Sequence, residues 1–364
     1  MDISSLFRGD HSSLRPYDPV IPPETLADVS GIPEQDIIKL NANENPYGPS
    51  PRIQEALGGY DGYHIYPDPK QQSLRKVLSS YVGVSDEYIL AGAGADEIID
   101  LILRACLDPG DEVVNCPPTF GMYEFSTNVN GGKIVNAERD SKYDVDLTEI
   151  RSAISPRTKV VFLTSPNNPT GNLVSYDSII SLLDEKLIVV VDEAYFEFSG
   201  VTVAPLVIKY PNLVVLRSMS KWSGLAGLRL GYGIMDPLLL ERLMDIKQPY
   251  NITAASLVAL QASFEDIEYL SNNVNSIVNE RDRLFSRLSL IEGLHPWKSK
   301  GNFILFDTPP GKAVEIFRML ASKGIFVRYF NTPRLSDSLR ISVGKPEHMD
   351  IVVRALTEIV EKIL

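Results

Sequence analysis

Short apolar runs alternate with polar turns and helix-like stretches between about residues 88 and 235. Six of these runs have the length and composition of buried strands: 88–90, 112–116, 159–164, 187–191, 213–217 and 231–234. Between the first two, the apolar residues of 96–107 recur at helical spacing. The alternation predicts an α/β fold whose sheet is largely parallel, with helices on both faces. In such sheets, ligands bind where the carboxyl ends of the strands open into loops.

The pattern changes after residue 252. Residues 254–292 are helix-like and contain no proline or glycine, and the runs 302–306 and 338–343 indicate strands around a helix at 313–323. The first 45 residues are rich in proline and polar residues, which is typical of an arm and a crossover segment rather than of a core layer. We therefore divide the chain into an N-terminal segment 1–45, a large domain 46–252 and a small domain 253–364.

Composition narrows the class of protein. The 364 residues are 44% hydrophobic and carry a formal net charge of −12, which argues against non-specific binding to nucleic acid or to an anionic membrane. The first residues lack the apolar region of a signal peptide, and no apolar run is long enough to span a bilayer. Cys106 and Cys116 do not suggest a disulfide framework. We therefore expect a cytoplasmic protein, and no motif predicts a metal site.

Two residues suggest chemistry at the edge of the predicted sheet. Asp192 follows the run 187–191, and Lys221 follows the run 213–217 in the string SMSKWSGLAGLRLG. Taken alone, the aspartate is also explained as a helix cap and the lysine as a surface residue. However, the residues that neighbour Lys221 in the sequence include serines, glycines and Arg229, which can bind a phosphate. This combination fits pyridoxal 5'-phosphate (PLP), because a lysine can bind it as an imine and an aspartate can keep its pyridine nitrogen protonated.

Two further strings follow strands. AGAGADEII opens the predicted helix 96–107, where small residues let backbone N–H groups approach an anion at a helix N-terminus. In SPNNPTG, Asn168 is held before Pro169, where its amide can donate to an oxygen on a ring. Tight packing and turn formation explain the same two strings, so neither decides the function alone.

The strings together resemble a known family. NANENPYG, YPDP, AGAGADE, PPTFGMY, SPNNPTG, DEAY, SMSKWSGLAGLRLGY and LRISVG occur in this order over nearly the whole chain. They resemble the fold-type-I PLP-dependent aminotransferases, in the histidinol-phosphate branch. The resemblance implies a large domain with a mostly parallel seven-stranded sheet between helices, and a smaller α+β domain. It also implies a homodimer with shared active sites that transfers an amino group from histidinol phosphate to 2-oxoglutarate.

The resemblance also implies roles for individual residues. Lys221 matches the Schiff-base lysine, Asp192 matches the acid facing the pyridine nitrogen, and Tyr195 in DEAY completes the catalytic set. The implied cofactor contacts are Asn168 and Tyr195 at the phenolic oxygen, Phe120 against the ring, Ala95, Asp96, Ser218 and Arg229 at the phosphate, and Tyr66 from the neighbouring subunit. The implied substrate contacts are Tyr17, Asn43, Arg328 and Arg340, the last as the carboxylate clamp.

The chain departs from the family pattern at two positions. Phe120 stands where many relatives carry tyrosine, so ring stacking is kept and a hydrogen bond is lost. Ile65 precedes YPDP where an arginine is expected, which places a substrate-phosphate contact from that position in doubt.

Other functions share these cofactor residues. A PLP-dependent decarboxylase of a phosphorylated amino acid, such as threonine phosphate, is one alternative. An aspartate, aromatic or broad-specificity aminotransferase is another, because Phe120, Tyr123 and Tyr17 could form the wall of a pocket for several side chains. A transcription regulator built on an aminotransferase-like domain is disfavoured, because no basic helix-turn-helix segment precedes residue 45.

Overall fold

A computed structural model of the protein describes residues 3–6 and 16–364. Residues 1, 2 and 7–15 of the predicted N-terminal arm lie outside the described residues. Among the described residues, no helix combines the length and apolar character needed to cross a bilayer. In the same part of the chain, no group of three or more His, Cys, Asp or Glu side chains is arranged to hold a metal ion.

The described residues form helices and strands throughout. The α-helices are α1 Pro23–Ser30, α2 Pro51–Gly59, α3 Gln72–Val82, α4 Ala95–Cys106, α5 Met122–Val129, α6 Leu147–Ala153, α7 Tyr176–Leu183, α8 Phe196–Ser199, α9 Pro237–Ile246, α10 Ala254–Glu265, α11 Ile267–Leu288, α12 Ala313–Ala321 and α13 Pro346–Ile363. The strands are β1 Ile38–Lys39, β2 Ile89–Ala93, β3 Glu112–Asn115, β4 Lys133–Asn136, β5 Thr158–Thr164, β6 Ile188–Asp192, β7 Leu213–Ser218, β8 Leu230–Ile234, β9 His295–Pro296, β10 Phe303–Asp307, β11 Ile325–Phe326, β12 Arg328–Tyr329 and β13 Ser338–Ser342.

A seven-stranded sheet in the order β2-β8-β7-β6-β5-β3-β4 forms the centre of the large part of the chain. All neighbouring strands pair in parallel except β8, which is antiparallel to β2 and β7. The predicted α/β class and mostly parallel sheet are therefore confirmed. The six predicted runs all became strands of this sheet, and the seven strands implied by the family resemblance are completed by β4, for which no run had been marked.

Both faces of this sheet are buried, which explains the uninterrupted apolar runs. Along β6, Val189 and Val191 join the core on one face, while Val190 joins the core on the other face together with helix α4. Alternate residues of a strand point to opposite faces, so a strand covered on both sides must be apolar at every position. Asp192 ends this strand and lies on the same face as Val190.

A second core lies in the C-terminal part. It is formed mainly by apolar residues of α11, α12, α13, β10 and β13, and the strands β12, β13, β10 and β9 make a four-stranded sheet beside it. The N-terminal segment was expected to lie outside the core, but part of it belongs to this core. Its strand β1 pairs in parallel with β11, and Leu40 is buried in this core. The domain limits at residues 45/46 and 252/253 stay predictions.

Candidate active site

The carboxyl-terminal edge of the large sheet gathers the residues predicted to bind the cofactor. Asp192 and Ser218 are the last residues of the parallel neighbours β6 and β7. Arg229 directly precedes β8, which runs the opposite way and therefore begins at the same edge. Ala95 starts α4 two residues after β2 ends. Residues far apart in the sequence meet at this edge because β2, β6 and β7 end there and the antiparallel strand β8 begins there.

Asp192 is a buried carboxylate that accepts hydrogen bonds from two neutral groups. Its Oδ2 accepts a hydrogen bond from the Tyr123 hydroxyl at 2.7 Å, and its Oδ1 accepts one from the Ala194 N–H at 3.0 Å. Burial raises the pKa of Asp192 to about 6, although both hydrogen bonds lower it. A cation placed against this carboxylate would favour its charged form, so the position suits a protonated ring nitrogen.

Lys221 lies beside the backbone of the N-terminal segment. Its Nζ donates a hydrogen bond to the Ala42 carbonyl at 3.1 Å. Desolvation of the partly buried amine lowers the pKa of Lys221 to about 8, and the positive charge of Arg340 acts in the same direction. A larger fraction of the amine is therefore neutral near physiological pH, as a nucleophile or a general base requires.

The turn between β2 and α4 is shaped by two close approaches. Gly94 has a φ of +81°, and a Cβ there would lie 2.4 Å from Nη2 of Arg229. A Cβ on Gly231 would lie 2.2 Å from the Ala95 nitrogen. Helix α4 has no side-chain cap at its N-terminus, and Arg229 forms an ion pair with Asp96 at 2.7 Å. A glycine-containing turn, a helix N-terminus without a side-chain cap and a guanidinium thus lie next to one another, which suits a phosphate.

Tyr195 and Asn168 hold defined orientations near this edge. The Tyr195 hydroxyl accepts a hydrogen bond from Nδ2 of Asn43 at 2.9 Å, and burial raises the pKa of Tyr195 to about 12. Oδ1 of Asn168 accepts a hydrogen bond from Nη1 of Arg340. That bond leaves the amide nitrogen of Asn168 free to donate, which is the role the sequence predicted.

Arg340 is a buried guanidinium that bonds neutral groups. Its Nη2 donates to the Asn41 carbonyl at 2.7 Å, and its Nε has no hydrogen-bond partner among the described residues. Burial lowers the pKa of Arg340 to about 10. A buried cation with an unused donor is costly unless an anion joins it, so the surroundings of Arg340 suit the carboxylate or phosphate of a ligand.

A second arginine lies directly opposite the first. Arg328 on β12 is the cross-strand partner of Arg340 on β13, and like charges in this position repel each other. Arg328 bonds the exposed Asp18 at 2.9 Å. Tyr17, the residue before Asp18, makes an edge-to-face contact with Phe120 at 6.2 Å between ring centroids. Burial raises the pKa of Tyr17, whereas the positive charges of Arg328 and Arg340 lower it. The predicted substrate residues Tyr17, Arg328 and Arg340 are thus brought together.

Tyr66 contacts an aromatic residue that does not belong to this group. Its ring stacks on Tyr250 with centroids 4.4 Å apart, and 77% of the residue is exposed. The family resemblance implies that Tyr66 reaches the active site of a neighbouring subunit, and this exposed pair of aromatic rings is consistent with that prediction.

Two buried hydroxyls contact predicted site residues without having been predicted themselves. Tyr123 is fully buried, touches Thr164 at 2.9 Å and donates to Asp192. The sequence suggested Tyr123 only as a pocket wall. Ser342 bonds Asn43 from β13. The signal for Tyr123 is its place in the string PPTFGMY, three residues after Phe120. Ser342 lies in the string LRISVG, which does not indicate its contact with Asn43.

These residues fit PLP. The observation that carries the fit is the buried Asp192, whose neutral partners leave it suited to a cationic ring nitrogen, together with a desolvated Lys221 and the glycine-lined turn before α4. Phe120 supplies an aromatic face beside Tyr123, with centroids 5.6 Å apart. The fold and the site together define the class of PLP-dependent aminotransferases.

Comparison with known proteins supports this class. Residues 35–356 match the family described as aminotransferase class I and II, and the chain belongs to that family. It is 49% identical to a histidinol-phosphate aminotransferase of Dehalococcoides mccartyi, over 90% of this chain and 91% of the relative. It is 47% identical to the enzyme of that name from Roseiflexus castenholzii, over 98% and 99% of the two chains. The structure is similar to that of histidinol-phosphate aminotransferase from Sinorhizobium meliloti in complex with PLP, with a TM-score of 0.90, 27% identity and 99% of both chains covered.

Proposed function

We propose that this chain transfers the amino group of histidinol phosphate to 2-oxoglutarate, with PLP as cofactor. The observation that carries the proposal is the cross-strand pair Arg328 and Arg340, two cations opposite each other beside the cofactor residues. The similarity to histidinol-phosphate aminotransferases, at up to 49% identity over most of the chain, supports the same substrate. When bound, PLP supplies an electrophilic carbon for the amino group and a ring that withdraws electrons from the substrate's α-carbon.

Lys221 moves the proton in this proposal. Its Nζ takes the α-proton of the amino donor and would deliver it to the cofactor carbon that binds the amino nitrogen, which requires an amine that is neutral near physiological pH. The lowered pKa of Lys221, about 8, meets this requirement. Its contact with the Ala42 carbonyl at 3.1 Å gives the released amine a fixed place beside the reacting atoms.

Asp192 keeps the ring an electron acceptor. As a carboxylate it stabilises a proton on the pyridine nitrogen, and its two hydrogen bonds fix where its oxygens point. Tyr123 remains a hydrogen-bond donor because burial holds its pKa well above the ordinary value. The carboxylate is therefore oriented before the cofactor binds.

The arginine pair explains how one site can accept two dissimilar substrates. Histidinol phosphate has a phosphate and no carboxylate, whereas 2-oxoglutarate has two carboxylates. The planar guanidinium group binds either anion in two-point fashion. The protein is acidic overall, with a net charge of −12, so we assign the attraction of both substrates to these local cations.

A substrate panel tests the proposal. With 2-oxoglutarate as acceptor, we expect histidinol phosphate to react with a higher kcat/KM than histidinol, phenylalanine or aspartate. Equal rates for histidinol phosphate and histidinol would show that the phosphate is not recognised and would favour a broad-specificity aminotransferase. Release of CO₂ from threonine phosphate without formation of glutamate would instead identify a decarboxylase.

Replacement of Arg340 by alanine should lower kcat/KM for both half-reactions. A charge-assisted bond lost from a buried site costs a few kcal/mol, which corresponds to a loss of about 10²- to 10³-fold. Steady-state kinetics with histidinol phosphate and with glutamate as amino donors would measure this loss in kcat/KM. Arg283→Ala is the control, because Arg283 bonds Glu280 and Asp350 between α11 and α13. A loss confined to one donor would contradict a shared clamp.

We also propose that the protein is a homodimer in which Tyr66 completes the site of the partner. We expect Tyr66→Phe to weaken retention of PLP. Mixed dimers of Tyr66→Phe and Lys221→Ala chains should regain activity at low PLP concentration, because one of their two sites contains both native residues. Mixed dimers of Lys221→Ala and Asp192→Asn chains are the control and should stay inactive, since Lys221 and Asp192 act in the same chain. Recovery in neither mixture would argue against shared sites.

A cytoplasmic location is part of the proposal. Cys106 and Cys116 are free thiols in the structure, which is consistent with a reducing compartment. Fractionation of the native cells would test this location.

A further inference from the structure

Asn43 lies at the junction of three parts of the chain, and each of its four polar atoms makes a hydrogen bond. It is buried, with a φ of +54°. Its N–H donates to Oγ of Ser342 at 2.8 Å, and its carbonyl accepts a hydrogen bond from Nδ2 of Asn302 at 2.9 Å. Ser342 lies on β13 and Asn302 directly precedes β10, so the small sheet fixes the backbone of Asn43 at both of its polar groups.

The same contacts fix the side-chain amide of Asn43. Because Oγ of Ser342 accepts the Asn43 N–H, its hydroxyl proton is free to donate, and it donates to Oδ1 of Asn43 at 3.0 Å. Oδ1 is therefore the acceptor end of the amide, and Nδ2 must face the other way. Nδ2 donates to the hydroxyl oxygen of Tyr195 at 2.9 Å.

This arrangement restricts the proton of Tyr195. A hydroxyl group that accepts from an amide N–H cannot point its own proton at that nitrogen, so the proton is directed elsewhere. Burial raises the pKa of Tyr195 to about 12, so the hydroxyl keeps its proton at physiological pH. The charged and titratable groups that act on it are Arg340 on β13, Asp192 on β6 and Tyr17 in the N-terminal segment.

We propose that Ser342 and Asn43 are positioning residues that hold the Tyr195 hydroxyl as a hydrogen-bond donor toward the phenolic oxygen of PLP. The inference rests on the proposed contact between Tyr195 and the cofactor. Asn43 then acts through Tyr195, in addition to any contact with substrate. Ser342 is two residues from Arg340 on β13 and points to the same face. One short strand therefore carries both the substrate clamp and the group that orients Tyr195.

A spectrophotometric pH titration of the holoenzyme tests this inference. We expect Ser342→Ala and Asn43→Gly to raise the midpoint of the visible absorbance change of the bound cofactor. A weaker bond to the phenolic oxygen leaves more negative charge on it, which favours the protonated form of the chromophore. The loss of one hydrogen bond corresponds to a shift of about 0.5 to 1 pH unit. Glycine is used at position 43 because it accepts a positive φ without strain.

Two further variants make the test decisive. Ser338→Ala removes another buried serine of β13, whose hydroxyl bonds Asp307, and should leave the midpoint unchanged. The double variant Ser342→Ala/Asn43→Gly should shift no further than Asn43→Gly, because the two residues act in one chain of contacts. Additive shifts, or a shift with Ser338→Ala as large as that with Ser342→Ala, would overturn the inference.

Tyr195→Phe separates this inference from the proposed role of Tyr195. If Tyr195→Phe leaves the midpoint unchanged, the contact between Tyr195 and the cofactor is wrong and the inference fails with it. If Tyr195→Phe raises the midpoint while Ser342→Ala and Asn43→Gly do not, the contact stands and the positioning role is wrong. A shift in all three variants, with Ser338→Ala unchanged, supports both.

Discussion

Replacement of Lys221 by alanine should abolish transamination while the protein still binds PLP. Lys221 is the only residue proposed to move the substrate's α-proton, and loss of such an acid–base group lowers a rate by up to about 10⁴-fold. Binding should persist through the turn before α4, Ser218, Arg229 and Asp192. Single-turnover kinetics with histidinol phosphate would measure the loss, and equilibrium dialysis would measure the retained PLP.

The matched control for this variant is Lys247→Ala. Lys247 is buried, and like that of Lys221 its Nζ donates to backbone carbonyls, those of Gln248 and Pro249, both at 3.1 Å. The Lys247→Ala variant should retain the wild-type rate of the chemical step and the visible absorbance of the bound cofactor. Turnover at the wild-type rate in Lys221→Ala would refute the assignment of Lys221.

Replacement of Asp192 by asparagine should lower kcat by about 10²- to 10³-fold or more, the range for loss of one preorganised electrostatic contact. The amide has nearly the shape of the carboxylate, so the fold should be retained. It carries no negative charge, however, and cannot stabilise a proton on the ring nitrogen. Stopped-flow absorbance would follow the first half-reaction, and thermal melting would verify the fold.

Asp111→Asn is the control for Asp192→Asn. Asp111 is also a largely buried aspartate, but it lies at the opposite edge of the sheet, just before β3, where it accepts from the Asp108 N–H at 3.0 Å. It should leave kcat unchanged. Equal activity of Asp192→Asn and the wild type would mean that Asp192 serves only to hold Tyr123 and the Ala194 N–H.

The large sheet could be predicted because its strands are buried on both faces. A run such as 187–191 must be apolar at every position, and polar residues placed directly after such runs mark one edge. Asp192, Ser218 and the turn before α4 were found in this way. The strand β4 was missed because Lys133–Asn136 is a short edge strand with two exposed ends and only two partly buried apolar residues.

Contacts that depend on register or on backbone conformation could not be predicted. The sequence suggested Arg328 and Arg340 as separate anion ligands, but only the pairing of β12 with β13 places them opposite each other. Ser342 reaches Asn43 across 299 positions of the chain, and the positive φ of Asn43 has no signature in the sequence. The pairing of β1 with β11 is of the same kind, because two-residue strands carry too little pattern to be recognised.

The facing arginines also have a consequence for enzymology. Electrostatic forces between exposed charges are screened beyond about 8 Å at physiological ionic strength. The negative surface charge therefore has little effect on a substrate that has entered the site, where the nearby cations Arg328 and Arg340 act on it directly. If Arg328 and Arg340 bind the substrate phosphate as proposed, we expect inorganic phosphate and sulfate, which carry a similar charge, to compete for the same two cations. In phosphate buffer, we therefore expect the apparent KM for histidinol phosphate to include displacement of a buffer ion, so that values should be compared only when the buffer anion is the same.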